Sequence, residues 1–109
     1  AHVEIELENM KTTNLRVIAA VAGGGAPGAE SSMLKIKGTV IRQELNALMR
    51  RAMGPHALAF IEEGEAGPAG AQPEALHATP QYFNNRKLSI FGGSNEIQKN
   101  IIAKMILGL

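Results

Sequence analysis

Leu88-Ser89-Ile90-Phe91-Gly92-Gly93-Ser94-Asn95-Glu96-Ile97-Gln98-Lys99-Asn100-Ile101-Ile102 is the stretch from which the rest of the chain is read. An apolar approach ends in Gly92-Gly93, and Ser94 stands where a helix N-cap belongs. Ile97, Ile101 and Met105 then recur at four-residue steps, a spacing that predicts a helix from Ser94 to Ile106, closed by Gly108. Glycines before a helix N-terminus let backbone N–H groups come close to a ligand, and the helix dipole favours negative charge there. Two readings follow: a sharp turn with no ligand, or a cradle for a phosphate or another polar group.

Upstream, the pattern is helical as well. Val3, Leu7, Met10, Asn14, Val17 and Val21 follow helical spacing over a span too long for a typical strand, and Glu4, Glu6 and Glu8 suit the N-terminal half of a helix. Gly23-Gly24-Gly25 and Pro27-Gly28 end it. From Ala29 to Met53 the positions Leu34, Ile41, Leu45, Leu48 and Ala52 lay an apolar stripe along one face, with Glu30 in the first turn and Arg50 and Arg51 in the last. Gly38 lies on that stripe at a cost of up to about 1 kcal/mol in helix propensity, which predicts a close helix–helix approach. Residues 62–73, rich in Glu, Gly and Pro, read as a flexible acidic surface loop. A short helical turn is expected around Pro73 to His77. Thr79 and Pro80 read as the N-cap and first position of a new helix running to about Ile90.

The expected fold is therefore all-α, an up-and-down helical bundle of two long and two shorter helices with one long loop. Its methionines, Met10, Met33, Met49, Met53 and Met105, are either adaptable core filler or markers of surfaces that pack against something else.

Composition narrows the function classes. At 109 residues the chain is long enough for one small domain and short for a flavoprotein enzyme. A net charge of +1 with 4% aromatic residues offers neither an electrostatic footprint nor stacking platforms for nucleic acid. Without cysteine there is no disulfide framework or thiolate metal site, and His2, His56 and His77 lack ligand spacing, so no metal is expected. No apolar run reaches the roughly 18 residues of a membrane span, and no signal-peptide pattern opens the chain. The expectation is a soluble cytoplasmic protein.

The run Arg86 to Ala103 resembles the C-terminal signature of the acyl-CoA dehydrogenase family. Asn14-Leu15-Arg16, Gly25 to Lys35 and the ending Ala103-Lys104-Met105-Ile106-Leu107-Gly108-Leu109 resemble the same family in the same order, so the likeness extends from about residue 7 onward. In that family an N-terminal helical domain and a middle β-domain precede a C-terminal helical bundle. The resemblance implies that residues 1–109 are that last domain, with the other two absent from this chain. The family reaction is α,β-dehydrogenation of an acyl-CoA thioester, in which a carboxylate removes the α-proton while FAD takes a hydride from the β-carbon. The implied cofactor is FAD and the implied partners are the acyl-CoA, an electron-transfer flavoprotein, and further copies or a second subunit in a homo- or hetero-oligomer.

Carried over position by position, the resemblance places flavin contacts on Ser94, Asn95 and Glu96 and a substrate-side glycine at Gly93. Ser94 and Asn95 offer short polar groups suited to a flavin edge or a phosphate. Glu96, an acceptor when ionised, either holds a ribose hydroxyl or is a plain first-turn acid. Many relatives keep their catalytic glutamate just before the signature glycine, where this chain has Gly92, so no catalytic residue is expected here. Either an earlier helix or a partner subunit would supply the base. The family's Gln-x-x-Gly-Gly segment, which helps hold the adenine half of FAD, reads here as Leu48-Met49-Arg50-Arg51-Ala52-Met53-Gly54-Pro55, without the glutamine. Arg86 would meet a carboxylate or phosphate, or form an ion pair inside the bundle. Tyr82 to Ile90 and the Met-Ile-Leu-Gly-Leu ending look most like large subunits of two-gene dehydrogenases acting on pimeloyl-CoA-type thioesters. The resulting expectation is a C-terminal dehydrogenase domain that contributes oligomer contacts and part of a flavin site and is inactive alone. The alternative is a flavin-free helical dimerisation or interaction module.

Overall fold

A computed structural model describes all 109 residues. Four α-helices, α1 (His2–Ala22), α2 (Glu30–Ala52), α3 (Pro73–Asn84) and α4 (Asn95–Leu107), are joined by turns and by two 3-10 segments, Gly54–Ala57 and Asn85–Ser89, with no strand. The all-α class expected from periodicity is the one observed. Two compact units divide the chain, residues 1–41 with 88–109, and residues 42–87.

In the first unit α1 and α2 run antiparallel, because the same order of contacts is reversed along the two helices. Ala20 lines a cleft with Ala26 and Gly28, Met10 meets Met33 and Leu34, and Glu6 pairs with Lys37. The inner face of α1 is Val3, Glu6, Met10, Thr13 and Val17, at steps of three and four. Leu7, Asn14 and Val21, expected on that face, are exposed. Glu6 takes the inward place beside Leu7 because the Lys37 ammonium compensates its charge, and that hydrogen bond holds the Glu6 carboxyl below its ordinary pKa. At Gly38 a β-carbon would meet only Met10 Sδ, at 3.4 Å, the flexible end of an α1 side chain.

In the second unit α3 packs against the Gly54–Ala57 segment that follows α2. Ala57, Ala75, Ala78 and Thr79 are its most buried residues together with Asn46, so this core is made of small side chains. The α2 face turned toward α3 is polar. Gln43 Nε2 donates to the carbonyls of Asn85 and Arg86 at 3.2 and 3.3 Å, and the Arg50 guanidinium stacks over the Tyr82 ring at 4.8 Å. Leu48 and Ala52, on the expected apolar stripe, are exposed instead. The 3-10 segment after α3 presents the Asn85 and Arg86 carbonyls to α2, and Gln43 on that face satisfies them.

Two further expectations are corrected here. Pro80 lies inside α3 rather than at a helix start, and Thr79 is not an N-cap. The helix begins one turn and more earlier with Pro73 at its first position, and the Thr79 hydroxyl donates to the Ala57 carbonyl oxygen. An interior proline costs about 3 kcal/mol through its missing N–H and its ring. Burial of Ala75, Ala78 and Thr79 against the Gly54–Ala57 segment offsets that cost. After Asn84 the chain tightens into the 3-10 segment Asn85–Ser89 instead of continuing as α-helix to Ile90.

Candidate functional site

The turn before α4 is built from its two glycines. Gly92 and Gly93 adopt φ of +67° and +85°, which other residues rarely tolerate, so the chain reverses there within two residues. Ser94 is the N-cap, extended at φ −61° and ψ 158°, with its Oγ accepting from the Ile97 N–H at 3.4 Å. One turn into the helix, Gln98 folds its amide back and donates from Nε2 to the Gly92 carbonyl at 3.0 Å.

Helix α2 holds both ends of the stretch. The buried Thr39 hydroxyl lies 2.9 Å from the Lys35 carbonyl and 3.3 Å from the Leu88 carbonyl, its one proton shared between them. One helical turn away, Lys35 Nζ donates to Asn95 Oδ1 at 3.0 Å. Glu96 is fully in solvent, and its carboxyl is held below its ordinary pKa, first by its own backbone N–H and then by the Ser94 hydroxyl. Lys99 and Lys35 contribute in the same direction.

Gly93, Ser94, Asn95 and Glu96 are thus brought together on one exposed turn. Much of their side-chain hydrogen-bonding capacity is already used within the chain. Asn95 Oδ1 is taken by Lys35, and the Ser94 hydroxyl is shared between Ile97 and Glu96. What remains to face a ligand is a donor set: the Asn95 Nδ2 group, the N–H of Asn95 at the first helical position, and the further N–H bonds of Lys35. A β-carbon at Gly92 would meet nothing within 4 Å.

Arg86 and Leu48–Pro55 belong to the other unit. There Arg86 lies 5.9 Å from the Tyr82 ring centroid, and Arg50 of the glutamine-less segment covers the same ring at 4.8 Å. Lys35, Thr39 and Gln98 are the residues that sequence reasoning did not assign to the site. Gln98 had a local signal, standing one helical turn after Ser94. Lys35 and Thr39 had none, since their partners lie 60 and 49 residues away.

Beside the turn, Lys35 also lines a cleft of about 680 Å³ between α1 and α2, whose floor is Leu7, Met10, Leu34 and Gly38. A second cleft of about 580 Å³, lined by Thr13, Arg16 and Glu30, lies at the far end of the same helix pair. The first shares a residue with the turn and the second does not.

The family described as acyl-CoA dehydrogenase, C-terminal domain, matches residues 1–107. No curated protein and no solved structure matches the chain.

Proposed function

The chain belongs to the family of acyl-CoA dehydrogenase C-terminal domains, and from that premise we propose that it forms one side of the flavin site of an FAD-dependent acyl-CoA dehydrogenase without supplying the catalytic base. The observation that carries this reading is the Gly92–Glu96 turn, which holds the four positions of the family signature with the Lys35 ammonium on the Asn95 amide oxygen. The turn's donors fit the acceptor edge of a flavin, meaning its carbonyl oxygens and ring nitrogens, better than a pyrophosphate. The solvent-facing Glu96 carboxylate in the first turn repels an anion but accepts from a hydroxyl. When bound, FAD supplies the hydride acceptor for the β-carbon of the thioester.

The chain's own residues hold and orient. Asn95 presents its Nδ2 donors with the oxygen end of the amide fixed by Lys35, Ser94 fixes the first turn of α4, and Gly93 lets the backbone approach the substrate. None of them takes the α-proton. Gly92 has no side chain, and Glu96 is stabilised as a carboxylate by two hydrogen bonds, which weakens it as a base. The base and the electron acceptor, an electron-transfer flavoprotein in this reading, come from outside these residues. The cytoplasmic setting and the large-subunit resemblance of Tyr82–Ile90 belong to the same proposal.

Apolar side chains left bare on α4 support the oligomer part of the reading. Ile97, Ile101 and Met105 are 53%, 37% and 56% exposed, although they form a single row. A flavin-free interaction module would use that same row, so flavin binding decides between the two. Amide NMR of the chain during FAD titration should shift the Gly93, Asn95 and Glu96 signals. No shift in the turn overturns the flavin reading, and turnover of any acyl-CoA with an artificial electron acceptor overturns the absence of a base.

A further inference from the structure

Eight residues, Leu88 to Asn95, leave and return to adjacent turns of α2, and each end is tied by a different chemistry. At the first end Thr39 is buried at 6% exposure and its hydroxyl reaches the Leu88 carbonyl at 3.3 Å, a neutral and partly buried hydrogen bond. At the second end the Lys35 ammonium meets the Asn95 amide. An ammonium only donates, so it can bind the oxygen of that amide and never the nitrogen. It therefore selects one of the two flips of Asn95, the one that leaves Nδ2 free of the protein. Between the ties, two glycines leave the backbone with more freedom than any other pair of residues would, and the Gln98 side chain bonds to it at Gly92.

We propose that Lys35 and Thr39 are positioning residues for the cofactor turn: Thr39 fixes where the stretch begins, and Lys35 fixes the Asn95 amide with its donors outward while lending the turn a positive charge. The inference rests on the flavin reading above and adds two residues of α2 to it. A cation held beside a flavin favours the electron-rich reduced form, so Lys35 also raises the potential of a flavin bound at the turn. Thr39, being neutral, does not.

Amide hydrogen exchange on the ligand-free chain tests the ties. Lys35→Met and Thr39→Val should each speed exchange in the stretch from Leu88 to Ile97 by about ten-fold, the factor expected for the loss of one ordinary hydrogen bond. Lys35→Arg and Thr39→Ser should restore the slow rate, and α1 should be unaffected. Unchanged exchange in the stretch overturns the proposal, and so does an equal loss of protection throughout α1, which would mark a general folding role.

FAD titration tests the orientation. In Lys35→Met the shift of the Asn95 signals should shrink, and the midpoint potential of any bound flavin should fall, recovering in Lys35→Arg and staying unchanged in Thr39→Val. An equal FAD response in wild type and Lys35→Met overturns the positioning role while the flavin reading stands. No FAD response in wild type overturns the flavin reading and the orientation role with it, and the exchange rates then decide the ties alone.

Discussion

Gln98 Nε2 donates to the carbonyl oxygen of Gly92 at 3.0 Å, and the same nitrogen stands 2.6 Å from where a β-carbon on Gly93 would be. The side chain that restrains the turn thus occupies the space that the second glycine leaves empty. Gly93→Ala has to expel the Gln98 amide as well as bear a φ of +85°, whereas Gly92→Ala bears only its φ of +67° in open space. Each positive φ costs roughly 1–2 kcal/mol in an alanine, and the lost hydrogen bond adds about 1 kcal/mol at Gly93. Urea unfolding should therefore rank Gly93→Ala below Gly92→Ala. The reverse order would show that Gln98 does not hold the turn.

Thr79 gives a second prediction. Its hydroxyl is the donor for the buried carbonyl of Ala57, on a helix that tolerates Pro80 one residue later. Thr79→Val keeps the shape and removes the donor, so stability should fall by about 1–3 kcal/mol. Thr79→Ser, which keeps the hydroxyl, should lose less than half as much in the same denaturation experiment.

At Gly38 the direction is opposite. A β-carbon would touch only Met10 Sδ, at 3.4 Å, the end of a flexible side chain. Gly38→Ala should raise stability by up to about 1 kcal/mol through helix propensity. A lower melting temperature would mean that the α1–α2 approach has no slack.

Glu6 and Glu96 lead to a pH prediction. Glu6 is held below its ordinary pKa first by its hydrogen bond to Lys37, and Glu96 first by its own N–H and then by Ser94. A depressed folded-state pKa gives stability that is complete above the unfolded value, near pH 4.3 for glutamate, and is lost as pH falls through the lower folded value. Melting temperature should drop as the pH is taken below about 4.3, and Glu6→Gln and Glu96→Gln should each flatten that drop. Ser94→Ala should flatten it as well, while also costing about 1 kcal/mol at neutral pH through the lost cap.

The bare row on α4 predicts self-association. Light scattering should report a mass above 11.6 kDa that grows with concentration, and Ile97→Glu with Met105→Glu should return it to that of one chain. Monomeric behaviour of the wild-type chain would remove the oligomer role from these residues.

The helices α1, α2 and α4, the Ser94 cap, the Gly92-Gly93 break and the lack of a proton acceptor at Gly92 were legible in the residue order. Each depends on interactions within about four residues or on what one side chain can do. Tertiary structure alone decided the rest. Thr79 reads as a cap and serves instead as a donor to Ala57, because burial of its neighbours outweighs the local preference at Pro80. Glu6 turns inward and Leu7 outward because Lys37 arrives from another helix. The seam of α2 is polar where it meets the carbonyls of Asn85 and Arg86. The orientation of Asn95 is set by Lys35 from 60 residues away. Periodicity records which residues share a helix face, and only the packed chain decides which charges and carbonyls that face must satisfy.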